Sequence, residues 1–151
     1  MAFSLLTNAA AMPSPVTSPG PASPIQTVIV GGPNNDGGFS PPILSVGQGS
    51  RVHFDFLAVN HTLTETTFDH PCQKKDGALI DTDFNNANPD NIPNLHPFDY
   101  TFASDEARYF YCKQDAGTPD SHCGHGEVFA VNVDQARFEE FRQRAMDTLD
   151  E

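Results

Sequence analysis

The sequence predicts an all-β domain, a sandwich of two sheets, followed by one short C-terminal helix. Three observations carry this. About seven short segments alternate apolar with polar residues and are separated by Gly, Pro, Asn and Asp turns, the pattern of half-buried strands. After Asp134 the apolar period changes from that of a strand to that of a helix. At 151 residues the chain has room for one domain with a core rather than two.

The elements follow in order. Residues 13–24 read PSPVTSPGPASP, and prolines without amide donors oppose both helix and sheet, so residues 1–24 form a disordered Pro/Ser-rich leader or linker. The opening MAFSLLTNAAAM has no basic residue and only a short apolar patch, which falls short of a secretory signal. From Ile25 the β pattern begins with IQTVIV, the loop GGPNNDGG, the segment FSPPILSV and the turn GQGS. RVHFDFLAV then alternates cleanly, with Val52, Phe54 and Phe56 on one face and His53 and Asp55 on the other. Asp69 to Pro97, rich in Asn, Asp, Pro and Gly, reads as one long excursion with little regular structure, and loops of that length are usually functional. Alternation returns in FDYTFA, ARYFYC and EVFAVNV, which suits an antiparallel two-sheet sandwich over residues 25–133. In residues 134–151, Phe138, Phe141, Ala145 and Leu149 recur at helical spacing on an amphipathic helix that packs on the sandwich or pairs with another copy.

Charge and cysteine content narrow the function. Twenty acidic residues against eight basic ones give a formal charge of -12, which phosphate backbones and anionic lipids repel, so nucleic acid is excluded as a partner. No apolar run approaches the roughly 18–20 residues of a membrane span. Three cysteines, at 72, 112 and 123, leave one over after any disulfide. The odd one is a buried spectator, a reactive thiol or a metal ligand.

The segments NHTLTETTF at 60–68, FDHPC at 68–72 and YFYCKQDAGTPDSHCGHGEVFAVNV carry the chemistry. In the last of these, nine residues separate Cys112 from His122 and four separate His122 from Glu127, so one loop between two strands presents a thiol, an imidazole and a carboxyl. His61 can supply a second imidazole from a neighbouring strand. Two imidazoles and one thiolate suit copper in both oxidation states, because the thiolate is soft enough for Cu(I) and the nitrogens are acceptable to Cu(II).

These residues resemble the cupredoxin family, in particular phytocyanins and the cupredoxin-like secreted proteins of fungi, over roughly residues 25–133. The resemblance rests on NHT after an alternating strand, a downstream PC, the aromatic FYC, and HC-x-x-G-x leading into a last apolar strand that ends in Asn. It implies a Greek-key β-sandwich, blue copper bound by His61, Cys112 and His122, and a disulfide between Cys72 and Cys123. It also implies an extracellular or cell-surface location. Where the family carries Met or Gln as a weak axial ligand, this chain has Glu127. A carboxylate there favours Cu(II) and would also admit zinc, which accepts thiolate, imidazole and carboxylate together. The other reading of Glu127 is a solvated acid at the start of a strand. The nine-residue gap after Cys112 exceeds the short loop of phytocyanins, so a looser hold on the ligands is expected.

His125 is read as a solvent-facing loop histidine, and His53, His70 and His96 as partly exposed ordinary imidazoles. Asn60-His61-Thr62 is a formal glycosylation sequon expected to stay unmodified, since a sugar would collide with a buried ligand. Two functions follow. One is a mononuclear copper electron carrier that exchanges electrons with a redox partner protein. The alternative is a secreted or wall-associated interaction module on the same scaffold, binding an extracellular component, with a weak, altered or empty metal site. Enzyme activity of the multicopper oxidase type is not expected, because the paired His-x-His motifs of a trinuclear centre are missing from the sequence.

Overall fold

A computed structural model describes residues 24–32 and 38–150, so the leader, apart from Pro24, and the middle of the GGPNNDGG loop lie outside the described residues. Among the described residues, eight strands precede one helix. They are β1 (Gln26–Val30), β2 (Phe39–Ser40), β3 (Ile43–Leu44), β4 (Arg51–Phe56), β5 (Thr64–Thr66), β6 (Pro97–Thr101), β7 (Arg108–Tyr111) and β8 (Val128–Val131), followed by α1 (Gln135–Asp147). Two four-stranded sheets form, in the orders β2-β1-β4-β6 and β3-β8-β7-β5.

The sandwich is the expected one, but its sheets are mixed rather than wholly antiparallel. β1 runs parallel to β4 and β3 runs parallel to β8. Alternation reads the same in both directions along a strand, so it dictates which side chains face inward and not which way the strand runs. In the observed register Val28 lies beside Phe54 and Val30 beside Phe56, which keeps the apolar faces together. FSPPILSV, expected as one segment, divides at Pro41 and Pro42, whose missing amides cannot extend a ladder. Its first half joins one sheet and its second half crosses to the other.

Phe54, Phe110 and Phe129 are completely buried between the sheets. Phe129 sits at their centre, edge-on to Phe54 at 5.7 Å and beside Phe39 and Phe110, each at 5.6 Å. β8 is buried along its whole length, because its second face is covered by α1. That explains why VFAV reads as an unbroken apolar run. Asp134 caps α1 by accepting a hydrogen bond from the Arg137 amide at 2.7 Å, which satisfies one of the helix's free donors. Phe138, Phe141 and Ala145 form its buried stripe with Phe68, Tyr111 and Cys123. Full burial of each phenylalanine stabilises the helix's docking by about 1.5–3 kcal/mol. Leu149, expected within that stripe, lies past the C-cap Thr148 and is 38% exposed.

The excursion between β5 and β6 is held by side chains together with a short antiparallel backbone bridge between Thr64 and Asp81. Asn88 Nδ2 donates to the carbonyls of Phe56 and Ile92, both at 2.8 Å, and Asn88 Oδ1 accepts from the Ile92 amide. The buried Glu65 accepts from the Leu79 amide at 2.8 Å and from Arg108 Nε at 2.9 Å. Ile80 inserts into the core between these polar anchors. Asparagine richness thus serves to satisfy the backbone of an irregular segment.

Candidate metal centre

Cys112 directly follows β7, and its amide extends that strand's pairing by donating to the Glu127 carbonyl at 3.1 Å. Glu127 directly precedes β8. The loop between them is therefore anchored at its two ends, and both ends point side chains to the same spot. His61 enters from the turn between β4 and β5 with its side chain wholly buried, whereas His122, from the loop itself, keeps 18% exposure. The structure brings together all four side chains that the sequence singles out. Their donor atoms lie within 4.8 Å of one another.

Glu127 Oε2 is 3.2 Å from His61 Nδ1 and 3.0 Å from His122 Nδ1, so the carboxylate bridges both rings and is not the solvated acid of the other reading. Cys112 Sγ lies 3.7 Å from His61 Nδ1 and 3.6 Å from His122 Nδ1. The Thr62 amide donates to the same sulfur at 3.4 Å. Thr62 is a contributor that the sequence did not single out, since nothing in a side-chain pattern marks a backbone donor.

The electrostatics are those of two acids facing two bases in a largely buried cluster. Burial opposes a charge on His61 and on His122, but hydrogen bonds to Cys112 and Glu127 outweigh it and raise their pKa values to about 9 and about 10. Burial likewise opposes the Glu127 carboxylate, while the two imidazoles pull its pKa down to about 2. The Cys112 thiol is lowered by the same rings against the effect of its burial. A cation bound among these four donor atoms would take over the charge balance that the imidazoles supply to Cys112 and Glu127. A donor set of two imidazole nitrogens, a thiolate and a carboxylate fits copper.

The nine-residue loop is more constrained than its length implies. The His122 amide donates to the Gln114 carbonyl at 3.1 Å, and the Glu127 amide to the His122 carbonyl at 3.0 Å. The Lys113 amide donates to Thr62 Oγ1 at 2.9 Å. A disulfide joins Cys72 to Cys123 across 51 residues, next to His122, and Cys112 stays free and buried. The remaining histidines lie outside the centre. His125 Nε2 is 3.0 Å from the Pro119 carbonyl and His96 Nε2 is 3.0 Å from that of Ala87. His53 is held between Asp99 and Asn94, each at 2.8 Å. The sequence reading missed the His53–Asp99 pair because it depends on the β4–β6 register.

No family model and no curated protein matches the chain. In fold it is similar to solved cupredoxins. A purple cupredoxin from Nitrosopumilus maritimus is 16% identical, with 72% of this chain and 99% of that one covered and a TM-score of 0.49. The oxidised plastocyanin of Dryopteris crassirhizoma is 14% identical over 72% and 99% of the two chains, with a TM-score of 0.45. A pseudoazurin from Sinorhizobium is 15% identical over 74% of each, with a TM-score of 0.41. At such identities the assignment of ligands rests on this chain's own side chains.

Proposed function

We propose that the protein is a mononuclear copper-binding cupredoxin, a small electron carrier in which His61, Cys112 and His122 are the principal ligands and Glu127 takes the axial place. The observation that carries this reading is the convergence of the four donor atoms at one end of the sandwich. When bound, copper supplies one-electron exchange between Cu(I) and Cu(II). The chain's residues do the rest. Residues 25–133 act as the scaffold, the Thr62 amide holds the Cys112 sulfur by a hydrogen bond, and the two strand-anchored ends of the ligand loop keep Cys112 and Glu127 in place.

Glu127 gives the site its character. A second anionic donor beside the thiolate balances the charge of Cu(II) better than that of Cu(I), so the potential sits below that of a site with a thioether in this place. His122 is the ligand that reaches solvent, and a redox partner exchanges electrons at its edge. The Cys72–Cys123 disulfide suits an oxidising compartment, consistent with an extracellular or cell-surface protein. No helix among the described residues is long and apolar enough to cross a membrane.

Titrating the metal-free protein with Cu(II) tests the reading. It should produce an intense visible thiolate-to-copper band that Cys112→Ser abolishes, and Glu127→Gln and Glu127→Met should each shift the band and the paramagnetic resonance parameters. A colourless protein without tight Cu(II) binding defeats the proposal. Tighter retention of zinc than of copper, with no coloured form, would make the centre a zinc site instead.

A further inference from the structure

We propose that Gly31 is a positioning residue for His61, fixing by direct contact which nitrogen of that imidazole faces the metal centre; the role in copper binding rests on the reading above. Gly31 follows β1 with φ +81°, and its amide donates to the Gly38 carbonyl at 2.8 Å. A Cβ placed on Gly31 would stand 2.5 Å from His61 Cδ2, 2.6 Å from His61 Nε2 and 2.3 Å from the Leu57 carbonyl oxygen. Real Cβ contacts do not come so close, so the imidazole's back edge lies flat against a backbone that only glycine allows. That edge carries Nε2, which is buried and has no hydrogen-bond partner among the described residues. No atom of a ligand fits between it and Gly31. Nδ1, on the opposite side, faces Glu127 Oε2 at 3.2 Å and Cys112 Sγ at 3.7 Å. The contact thus holds the ring with Nδ1 as its one nitrogen open to a cation.

The neighbouring glycine supplies a control. Gly38 also has positive φ, at +95°, yet among the described residues a Cβ there would meet nothing within 4 Å. Gly38→Ala therefore strains the same turn without touching His61, whereas Gly31→Ala strains it and pushes the ring.

The experiment compares wild type, Gly31→Ala and Gly38→Ala by competitive Cu(II) titration, paramagnetic resonance, and histidine ring nitrogen spectra of the metal-free and zinc-loaded proteins. Gly31→Ala should bind Cu(II) about ten- to a hundred-fold more weakly, with altered resonance parameters and displaced His61 ring signals. Gly38→Ala should match wild type in all three. Equal Cu(II) affinity and unchanged His61 signals in Gly31→Ala would overturn the proposal. Should Gly31→Ala not fold, the zinc-loaded wild type decides: ligation of His61 through Nδ1 supports the inference and ligation through Nε2 overturns it. Failure of wild type to bind copper would sink the copper reading alone, because the metal-free ring signals still report whether Gly31 positions His61.

Discussion

Replacing Cys72 and Cys123 together by alanine removes a cross-link that spans 51 residues of chain. The loop-closure argument gives the size of the effect. Tying two points that far apart lowers the entropy of the unfolded chain enough to stabilise the fold by about 4 kcal/mol. At roughly 2–4 °C per kcal/mol for a chain of this length, the melting temperature of the double variant should fall by about 8–16 °C. The folded state should persist, because Phe68 still packs against Phe141 and Tyr109, with ring centroids at 6.3 and 5.5 Å, and this ties the start of the excursion to α1 without the sulfurs. Urea unfolding of the metal-free proteins at neutral pH is the assay. The dependence of stability on urea should also steepen, since an uncross-linked unfolded chain exposes more surface. A loss below about 1 kcal/mol, with no change in that slope, would refute the reasoning, for it would mean that the unfolded chain is compact whether or not the sulfurs are joined.

Two further perturbations probe the scaffold away from the metal centre. Glu65→Gln leaves the Arg108 guanidinium, bonded to Glu65 at 2.9 Å and itself largely buried, without its counter-charge; a loss of about 3–5 kcal/mol in urea unfolding is expected, and a neutral outcome would show that the rings of Tyr100, Phe102 and Phe110 around Arg108 suffice. The His53–Asp99 pair should give a stability increment bounded on both sides in pH. Its hydrogen bond to Asp99 raises His53 above its ordinary 6.5, so that contribution is complete below 6.5 and is lost as pH rises through the folded value. His53 and Arg51 lower Asp99 below its ordinary 3.8, so that contribution is present above 3.8 and is lost as pH falls. The stability difference between wild type and His53→Gln should therefore be largest between 3.8 and 6.5 and shrink as pH rises through the folded value of His53; a difference that does not fall at any pH above 6.5 would refute the assignment.

The parts of this structure legible in the sequence are those that local chemistry determines. Val52, Phe54 and Phe56 announce their inward face by alternation, and Phe138, Phe141 and Ala145 announce theirs by helical spacing. The four side chains at the centre were legible because three of them share one loop and because His61 lies in an NHT segment. Strand direction, by contrast, is set by which partner a strand meets, and the parallel pairings of β1 and β3 leave no trace in their own residues. Gly31 was hidden for a related reason. It is one of four glycines in GGPNNDGG, and only the tertiary approach of His61 distinguishes it from Gly38.

The pairing of Ile43 with Ala130 has a consequence for the order in which the chain can organise itself. β3 belongs to a sheet whose other members are all encoded after residue 63, so the segment that crosses over at Pro41 and Pro42 waits for almost the whole domain to leave the ribosome. Contacts of such sequence span make folding slow. Before the fold closes, three cysteines can pair in three ways, and the pair nearest in sequence is Cys112 with Cys123. The finished structure joins Cys72 to Cys123 instead, with Cys112 at the end of β7 and Cys123 beneath α1. Selection of the correct sulfur thus falls to the late closure of β7, β8 and the helix, which makes the oxidation partner of Cys123 a report on whether the C-terminal third of the chain has already folded.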